Sequence, residues 1–421
     1  MNVYQEFFNQ YDFDIRKSRD ARWIDQKCTY DVVSIIADCI VEYLENSPNK
    51  EFTVSDIWHS EYARENVISI FSKPDPSLKA TNEYDKYFGQ PIKLLGYSHV
   101  LNVRKVNNRY FYSINNQEIL EKIALRPTNA LNFLYEYICK VLTDSELMPI
   151  FNNFFEVQTK ESYQEVVNKF VAFTIENTNI NKRTECGRIF TKVINPLAFK
   201  LQKLGTKKGR ISKLPITLSD LQYNRFNWRD ELSGKSKSIT RAEHEQTTSQ
   251  QQIKALADYT INKAKNAVRK FNAKYNDSNP EVKQKSELVK ATQVHHIFAQ
   301  ADYPSIADFL ENLIMLTPNQ HFTMAHPNNN NTQYIDRDFQ YICLIAKATT
   351  IYQSLTSPST EKFYNFDNYK IVLNTGLETE EFSEVAHLDF ANLINKIDSF
   401  YCSPENNKYK SLIKDNKPKL D

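Results

Sequence analysis

The sequence predicts an α+β protein that is predominantly helical, on three observations. Apolar residues recur at helical spacing over long segments, as from Val32 to Leu44. Strand-like runs are few and short, and two of them flank the polar pair Asn107-Asn108. Four of the eight histidines lie in one stretch, 295–326. That stretch is where we expect the chemistry, because neutral imidazole is a common metal ligand and accepts protons near neutral pH.

Composition excludes several classes of protein. A chain of 421 residues exceeds one ordinary core, so we expect several domains. No apolar run is long enough for a membrane span, and the start lacks the features of a signal peptide. The six cysteines are scattered without a C-x-x-C pair, which favours reduced thiols, a cytoplasmic location and no structural zinc. No glycine-rich phosphate loop is present, so nucleotide hydrolysis is not expected.

The net charge of +2 conceals a basic block. Residues 182–290 carry 24 Lys and Arg against 10 Asp and Glu, a local net charge of +14. Solvated helix faces would mix both signs more evenly. The block therefore favours a polyanion as partner, and nucleic acid in particular.

The first part of the chain has the element order of a winged helix. After an aromatic and basic arm at 1–25, residues 26–117 predict helices at 32–44, about 55–63 and about 82–95, the last bent or interrupted by Pro91. A hairpin around Asn107-Asn108 follows. In a winged helix the third helix enters the major groove and the hairpin touches the DNA backbone. The candidate contacts are Lys79, Lys86, Lys93, Arg104, Lys105 and Arg109. A small helical scaffold and a protein-docking winged helix remain alternatives.

Four further segments follow. Residues 118–202 predict a helical packing domain, and 203–246 predict basic loops that contact DNA or form a solvated linker. The loop candidates are Lys207, Lys208, Arg210, Arg225 and Arg229. Residues 247–357 predict a basic helix followed by the histidine module. Residues 358–421 predict an α/β tail, with a strand-like aromatic piece and a helix at about 388–400, that serves packing or dimerisation.

The histidine module predicts the order strand, loop, strand, helix. Residues 287–298 predict a strand hairpin that delivers His295 and His296, whose side chains must then face opposite sides. One imidazole can therefore face a metal and the other a substrate. Asn312 precedes an apolar strand at 313–316, and Thr317 and Pro318 predict the start of a short helix carrying His321.

These residues resemble a known family. The histidine pair, Asn312 and His321 are similar to the HNH, or ββα-metal, nucleases. The strings NLIMLTPNQH at 312–321 and AHP at 325–327 resemble HNH type II restriction endonucleases more specifically. Less specific similarity to this group lies in RWIDQKCT at 22–29 and RIFTKVINPLAF at 188–199. The catalytic match covers about 40 residues.

The resemblance implies a function and a role for each residue. His296 would be the general base, Asn312 would brace the loop, and His295, His321 and His326 would hold a divalent cation. Mg²⁺ is the first expectation, with Mn²⁺, Zn²⁺ or Ni²⁺ as alternatives. The protein would be a site-specific endonuclease that cuts double-stranded DNA in the bacterial cytoplasm. A homodimer and a cognate DNA methyltransferase as system partner are also implied.

One spacing departs from the family. Its paired helix histidines usually lie four residues apart, whereas His321 and His326 lie five apart, about 140° further round an ideal helix. Either the helix distorts near Pro327, or a water or a carboxylate such as Asp336 completes the metal site.

Two other functions remain open. The chain would be a DNA-binding regulator if the histidine cluster is a metal sensor, although a sensor has no need of a loop-bracing asparagine. A non-specific toxin or RNase would leave nearly 290 residues ahead of the module without a role. The remaining histidines, His59, His99, His244 and His387, are expected to be packing residues.

Overall fold

The computed structural model describes residues 3–71, 81–223, 241–285, 287–327, 334–360, 362–401 and 406–420. The chain divides into two compact units, Met1–Ala255 and Leu256–Asp421. It is mostly helical with a few short strands, which confirms the predicted fold class. None of the helices described is long and apolar enough to span a membrane.

The described residues of the first unit form sixteen helices and strands and the beginning of a long helix, α13, which continues into the second unit. They are α1 (Val3–Phe8), α2 (Ile15–Ser18), α3 (Tyr30–Asn46), α4 (Val54–His59), α5 (Glu61–Phe71), α6 (Thr81–Tyr97), β1 (Leu101–Val106), β2 (Arg109–Ile114), α7 (Gln117–Leu125), α8 (Pro127–Asp144), α9 (Met148–Val157), α10 (Lys160–Asn177), α11 (Arg183–Lys200), β3 (Thr206–Lys207), β4 (Arg210–Ile211), α12 (Leu218–Leu221) and α13 (Arg241–Asn276).

The second unit contains the end of α13 and the histidine module. Its later elements are β5 (Gln293–His296), β6 (Leu313–Leu316), a π-helix (Gln320–Ala325), α14 (Arg337–Thr356), α15 (Phe366–Gly376), α16 (Phe390–Phe400) and α17 (Lys410–Asn416).

The N-terminal segment is not an arm, contrary to the prediction. Tyr4, Phe7 and Phe8 of α1 are buried. The ring centroid of Phe8 lies 5.5 Å from that of Phe133 and 5.6 Å from that of Tyr137, both in α8. Burying aromatic side chains of this size is favourable by on the order of 2 kcal/mol each, relative to leaving them exposed as they would be in an arm. The segment is therefore part of the core.

Between residue 26 and the hairpin, where three helices were predicted, the described residues form four, α3 to α6. The segment expected as one helix at 55–63 forms α4 and α5, because Thr53 and Asp56 make a capping box that starts α4 and Ser60 ends it. α6 runs unbroken through Pro91, where an interruption was one expectation. The hairpin β1–β2 is present, with Asn107 and Asn108 at positive φ of 45° and 65° in its turn.

Helix α3 is the centre of the first unit. Its residues are buried on most sides, including Val33, Ile36 and Ile40 at 0% exposure, and it packs against α7 and α8. The predicted all-helical segment after the hairpin is confirmed as α7 to α11. Beyond it, the short hairpin β3–β4 turns at Lys208 and Gly209, which both have positive φ.

In the second unit, β5 and β6 pair antiparallel with His295 opposite Ile314 and His296 opposite Leu313. The predicted hairpin at 287–298 is wrong: only 293–296 is a strand, and its partner is β6. In the C-terminal segment 358–421, the predicted strand is also absent from the described residues, which are helical. The aromatic residues expected as a strand instead pack around the start of α15, where Tyr364 and Phe366 are buried.

A buried ion pair lies behind β6. Lys347 Nζ of α14 lies 2.7 Å from Glu281 Oε2, with both side chains almost fully buried, and also donates to Tyr364 Oη at 3.1 Å. Glu281 Oε1 accepts the backbone N–H of Met315 at 2.8 Å, and Glu281 N–H donates to Met315 O. This pair therefore fixes β6 against α14.

We expect Lys347→Met to lower the free energy of unfolding by about 3–5 kcal/mol, because it leaves the Glu281 carboxylate buried without a counter-charge. Lys290→Met, which removes an exposed pair with Asp277, should cost about 1 kcal/mol or less. Chemical denaturation followed by circular dichroism measures both. Adding Glu281→Gln to Lys347→Met should recover part of the loss; no recovery would contradict the role given to the isolated charge.

Candidate metal centre

Strand β5 separates the histidine pair. His295 and His296 are consecutive strand residues, so their rings project to opposite faces. His295 is 4% exposed and lies with His321 and His326, whereas His296 is half-buried and does not belong to that group. The division of the pair thus follows directly from the strand.

His321 lies in a π-helix over Gln320–Ala325, and His326 is the residue that follows it as its C-cap. The N–H of His326 donates to His321 O at 3.2 Å, the i to i+5 hydrogen bond of such a helix. A π-helix has more residues per turn than an α-helix, so residues five apart lie on one face. The five-residue spacing is therefore accommodated by a distorted helix, one of the two possibilities left open by the sequence.

Three imidazoles converge in the second unit. The ring centroids of His295, His321 and His326 lie 5.0–5.2 Å apart, and one nitrogen of each lies within 4.8 Å of the others. Among the described residues this is the one such group of possible ligands. Asp336, the alternative ligand, caps α14 by accepting the N–H of Phe339 at 2.9 Å and is not in the group.

The nitrogens are arranged as metal ligands require. His326 Nδ1 lies 2.8 Å from the carbonyl oxygen of Tyr334, which can only accept, so this nitrogen carries the proton and Nε2 is left as the ligand atom. His321 Nδ1 is buried without a hydrogen-bond partner. A buried nitrogen without a partner is costly unless something binds it, so the donor set fits a cation.

Burial keeps the rings of His295 and His321 neutral. Desolvation lowers the pKa of His321 to about 4, with smaller contributions from His326 and Lys265. The pKa of His295 falls well below its usual value for the same main reason. Neutral imidazole is the form that coordinates a metal, so these rings need not lose a proton near pH 7.

His296 faces the loop between β5 and β6. Its Nε2 lies 2.9 Å from the carbonyl oxygen of Ala307 and so donates to it. Burial lowers the pKa of His296 to about 4, with a further contribution from the charge of Lys265. In the neutral ring Nδ1 is then unprotonated and can accept a proton.

Asn312 closes that loop. Its Oδ1 accepts the N–H of Phe298 at 2.9 Å, and its Nδ2 donates to Phe298 O at 3.1 Å and to Ile306 O at 3.2 Å. The residue is fully buried. These bonds join Phe298, at the start of the loop, to Ile306 in its middle. Ala307, whose carbonyl oxygen accepts the hydrogen bond of His296, is the next residue.

A second set of hydrogen bonds fixes the helix start. Thr317 Oγ1 accepts the N–H of Gln320 at 3.1 Å, and Gln320 Oε1 accepts the N–H of Thr317 at 3.2 Å. Gln320 Nε2 also donates to Val282 O at 3.0 Å. The reciprocal Thr-x-x-Gln pattern could have been recognised in the sequence as a capping box. No local sequence pattern predicts the contact with Val282 or the Glu281–Lys347 pair, because each joins residues far apart in the chain.

The remaining histidines make packing contacts where they are described. His59 stacks on Trp58 with centroids 3.6 Å apart, and His99 stacks on Tyr11 at 4.1 Å. His387 lies beside Asp367, 3.3 Å from Nδ1 to Oδ2. The side chain of His244 lies outside the described residues.

Those of the predicted DNA-contacting residues that the structure describes lie in the first unit. Lys86, Lys93, Arg109, Lys208 and Arg210 are exposed. Two others are exposed but paired, since Arg104 donates to both carboxylate oxygens of Glu51 and Lys207 Nζ lies 2.8 Å from Asp220. Lys79, Arg225 and Arg229 lie outside the described residues. Lys105 lies over the ring of Tyr110, 5.5 Å from its centroid.

Comparison of the chain with protein-family models, curated proteins and solved structures found no match.

We expect Asn312→Asp to lower the free energy of unfolding by about 3 kcal/mol or more, because a carboxylate would face two carbonyl oxygens that now receive hydrogen bonds. Asn319→Asp is the matched control, since Asn319 is exposed, and its effect should stay within about 0.5 kcal/mol. Equal effects of the two changes in chemical denaturation would contradict the bracing role.

Proposed function

We propose that the protein is a divalent-metal-dependent endonuclease that hydrolyses phosphodiester bonds of double-stranded DNA at specific sites. One observation carries the proposal: three imidazole ligands lie on one face of β5, and an unprotonated imidazole nitrogen lies on the other. A metal and a proton acceptor on either side of one strand suit the in-line attack of water on a phosphate.

His296 is the proposed general base. Its Nε2–H is held by Ala307, so the ring is oriented with Nδ1 available for the proton of the attacking water. A bound phosphodiester places negative charge near the ring and raises the pKa of His296 from its low value toward the working pH. Asn312 acts indirectly, because it holds the loop that holds His296.

The donor set favours a transition metal. Three imidazoles without a carboxylate suit Zn²⁺, Ni²⁺ or similar ions better than Mg²⁺, which prefers oxygen ligands. Three protein ligands also leave a coordination position open for a phosphate oxygen. When bound, such an ion stabilises charge on the phosphate and on the departing 3′ oxygen. Zn²⁺, Ni²⁺ and Mn²⁺ therefore take precedence here over Mg²⁺, the first expectation from the sequence.

Lys265 of α13 supports phosphate binding at this site. Its positive charge lowers the pKa of His295, His296 and His321, so it acts on both faces of β5. The side chain is half-buried, and no carboxylate in the described part of the chain pairs with it. Burial lowers its own pKa. An anionic substrate would supply the missing counter-charge.

The choice of DNA site is assigned to the rest of the chain. The +14 net charge of residues 182–290 and the exposed basic side chains of the β1–β2 and β3–β4 hairpins favour binding along the phosphate backbone. One active centre per chain and two strands to cut favour a homodimer on DNA. A restriction–modification system in a bacterial cytoplasm, with a cognate methyltransferase, is part of the same proposal.

We expect the purified protein with Zn²⁺, Ni²⁺, Mn²⁺ or Mg²⁺ to cut unmodified phage DNA into discrete fragments with 5′-phosphate ends. His296→Ala should lower the cleavage rate by about 10²–10⁴-fold while DNA binding in EDTA is kept, because only the proton acceptor is lost. His387→Ala, an exposed histidine of the same unit, should cut at the normal rate.

Three outcomes contradict parts of this proposal. A smear would replace site-specific cleavage with non-specific cleavage. Metal-dependent DNA binding without cleavage by any of the four ions would favour the regulator with a metal sensor. Full activity of His296→Ala would exclude His296 as the base.

We expect equilibrium dialysis to give one Zn²⁺ or Ni²⁺ per chain, lost in His321→Ala and kept in His296→Ala. The metal should also stabilise the protein against unfolding by about 3 kcal/mol when its free concentration is about 100 times the dissociation constant. Equal metal content of the two variants would contradict the assignment of the two faces of β5.

A further inference from the structure

Two sequence strings that the catalytic site does not use meet at one small cavity in the first unit. Thr29, at the end of RWIDQKCT, and Lys192 and Asn195, within RIFTKVINPLAF, all line it, although about 160 residues separate them. The cavity has a volume of about 20 Å³, which is room for one water-sized group. The cavity is not fully enclosed, and Lys192, which lines it, is partly exposed.

The hydroxyl of Thr29 has no partner. Thr29 is 3% exposed, and its Oγ1 is buried without a hydrogen bond. The residue is the N-cap of the 17-residue helix α3, where a threonine side chain normally accepts a backbone N–H, yet no such bond is formed. A buried hydroxyl that makes no bond costs free energy, so this group is free to bind something that enters the cavity.

The ammonium group of Lys192 is the second unused donor. Lys192 makes no hydrogen bond or close ion pair in the described part of the chain, and Asp31 acts on it only through its charge. Burial lowers the pKa of Lys192, which reflects the cost of holding this charge out of water. An anion at the cavity would offset that cost.

The neighbouring carboxylates are already engaged. Asp220, which also lines the cavity, is paired with Lys207 and accepts the N–H of Thr217 at 2.9 Å. Asp31 accepts the N–H of Tyr223 at 3.1 Å, and its charge acts on Lys192 by raising the pKa of that ammonium group. Because these carboxylate oxygens already accept hydrogen bonds, the groups left to bind a ligand here are donors, which favours an anion rather than a cation.

The wall of the cavity contacts the basic hairpin β3–β4. Asn195 Oδ1 accepts the N–H of Thr206 at 2.8 Å, and Asn195 Nδ2 donates to Thr206 O at 3.0 Å. This residue therefore joins the cavity wall to β3, and the exposed Lys208 and Arg210 lie on the β3–β4 hairpin beyond it. Exposed basic side chains on an element that contacts the cavity wall suit a polyanion that contributes one group to the cavity.

We propose that this cavity binds one non-bridging oxygen of a DNA backbone phosphate, with the hydroxyl of Thr29 and the ammonium group of Lys192 as donors. The inference rests on the proposed function only in taking DNA as the ligand. It requires no cleavage, so binding alone tests it. A phosphate held here would fix the position of DNA along the protein without reading its sequence.

The test is the salt dependence of DNA binding by the full chain. Fluorescence anisotropy with a labelled duplex of random sequence is measured in EDTA from about 50 to about 200 mM salt. We expect Lys192→Met to weaken binding and to reduce the slope of log K against log salt by about 0.9, the value for one lost phosphate contact. Lys160→Met, which removes the same charge from an exposed position on α10, should leave the slope unchanged.

Thr29→Val is the second variant. It keeps the shape of the side chain and removes only the hydroxyl, so we expect weaker DNA binding together with unchanged or higher thermal stability. A buried water bridging Thr29 and Lys192 predicts the reverse, with lower stability and unchanged DNA binding, and that result would overturn the proposal. A slope equal to that of the wild type in Lys192→Met would also overturn it.

Two controls separate the sources of failure. Inorganic phosphate added at constant ionic strength should not displace the duplex; displacement that Lys192→Met abolishes would identify a site for free phosphate instead. If the wild-type chain does not bind DNA, this proposal and the proposed function both fail. If it binds DNA without cutting it, with the slope change at Lys192, this proposal stands and the proposed function fails.

Discussion

The orientation of His296 depends on the three side-chain hydrogen bonds of Asn312. A buried amide is tolerated only when its donors and acceptor are satisfied, and here both are used to join Phe298 to Ile306 across the loop. The carbonyl of Ala307 follows immediately and orients His296. Gly376 of α15 lies so close to the ring of Phe298 that a Cβ at this position would overlap the ring, so α15 also holds Phe298 in place. The loop is therefore held from both sides.

The π-helix solves a different problem, which is how two histidines five residues apart reach one cation. A π-helix is rare because its hydrogen bonds are less favourable than those of an α-helix, and it persists where the surroundings stabilise it. Here the capping bonds of Thr317 and Gln320 fix its start, and the N–H of Asp336 donates to Ala325 O at its end. Coordination of a metal by His321 and His326 would add to this stabilisation.

Local patterns determined much of the module because the interactions concerned are local. The alternation of side chains along a strand separated His295 from His296, and the Thr317-Pro318 start predicted the helix that carries His321. The asparagine was predicted to brace the loop, and its hydrogen bonds do join loop residues. Longer-range features were not predictable. The N-terminal aromatics were expected in an arm because their partners, Phe133 and Tyr137, lie far away in the sequence.

By itself, then, the sequence determined the helical fold class, the second strand and the start of its helix, since periodicity and capping act over a few residues. That His295, His321 and His326 meet was implied by the family resemblance and not by their spacing. Only the tertiary structure decided three things. It decided the π-helical geometry that aligns His326, the use of Glu281 and Lys347 to fix β6, and the meeting of Thr29 with Lys192. Each depends on the burial or pairing of groups that only the folded chain brings together. No local sequence pattern predicts the free energy of such contacts.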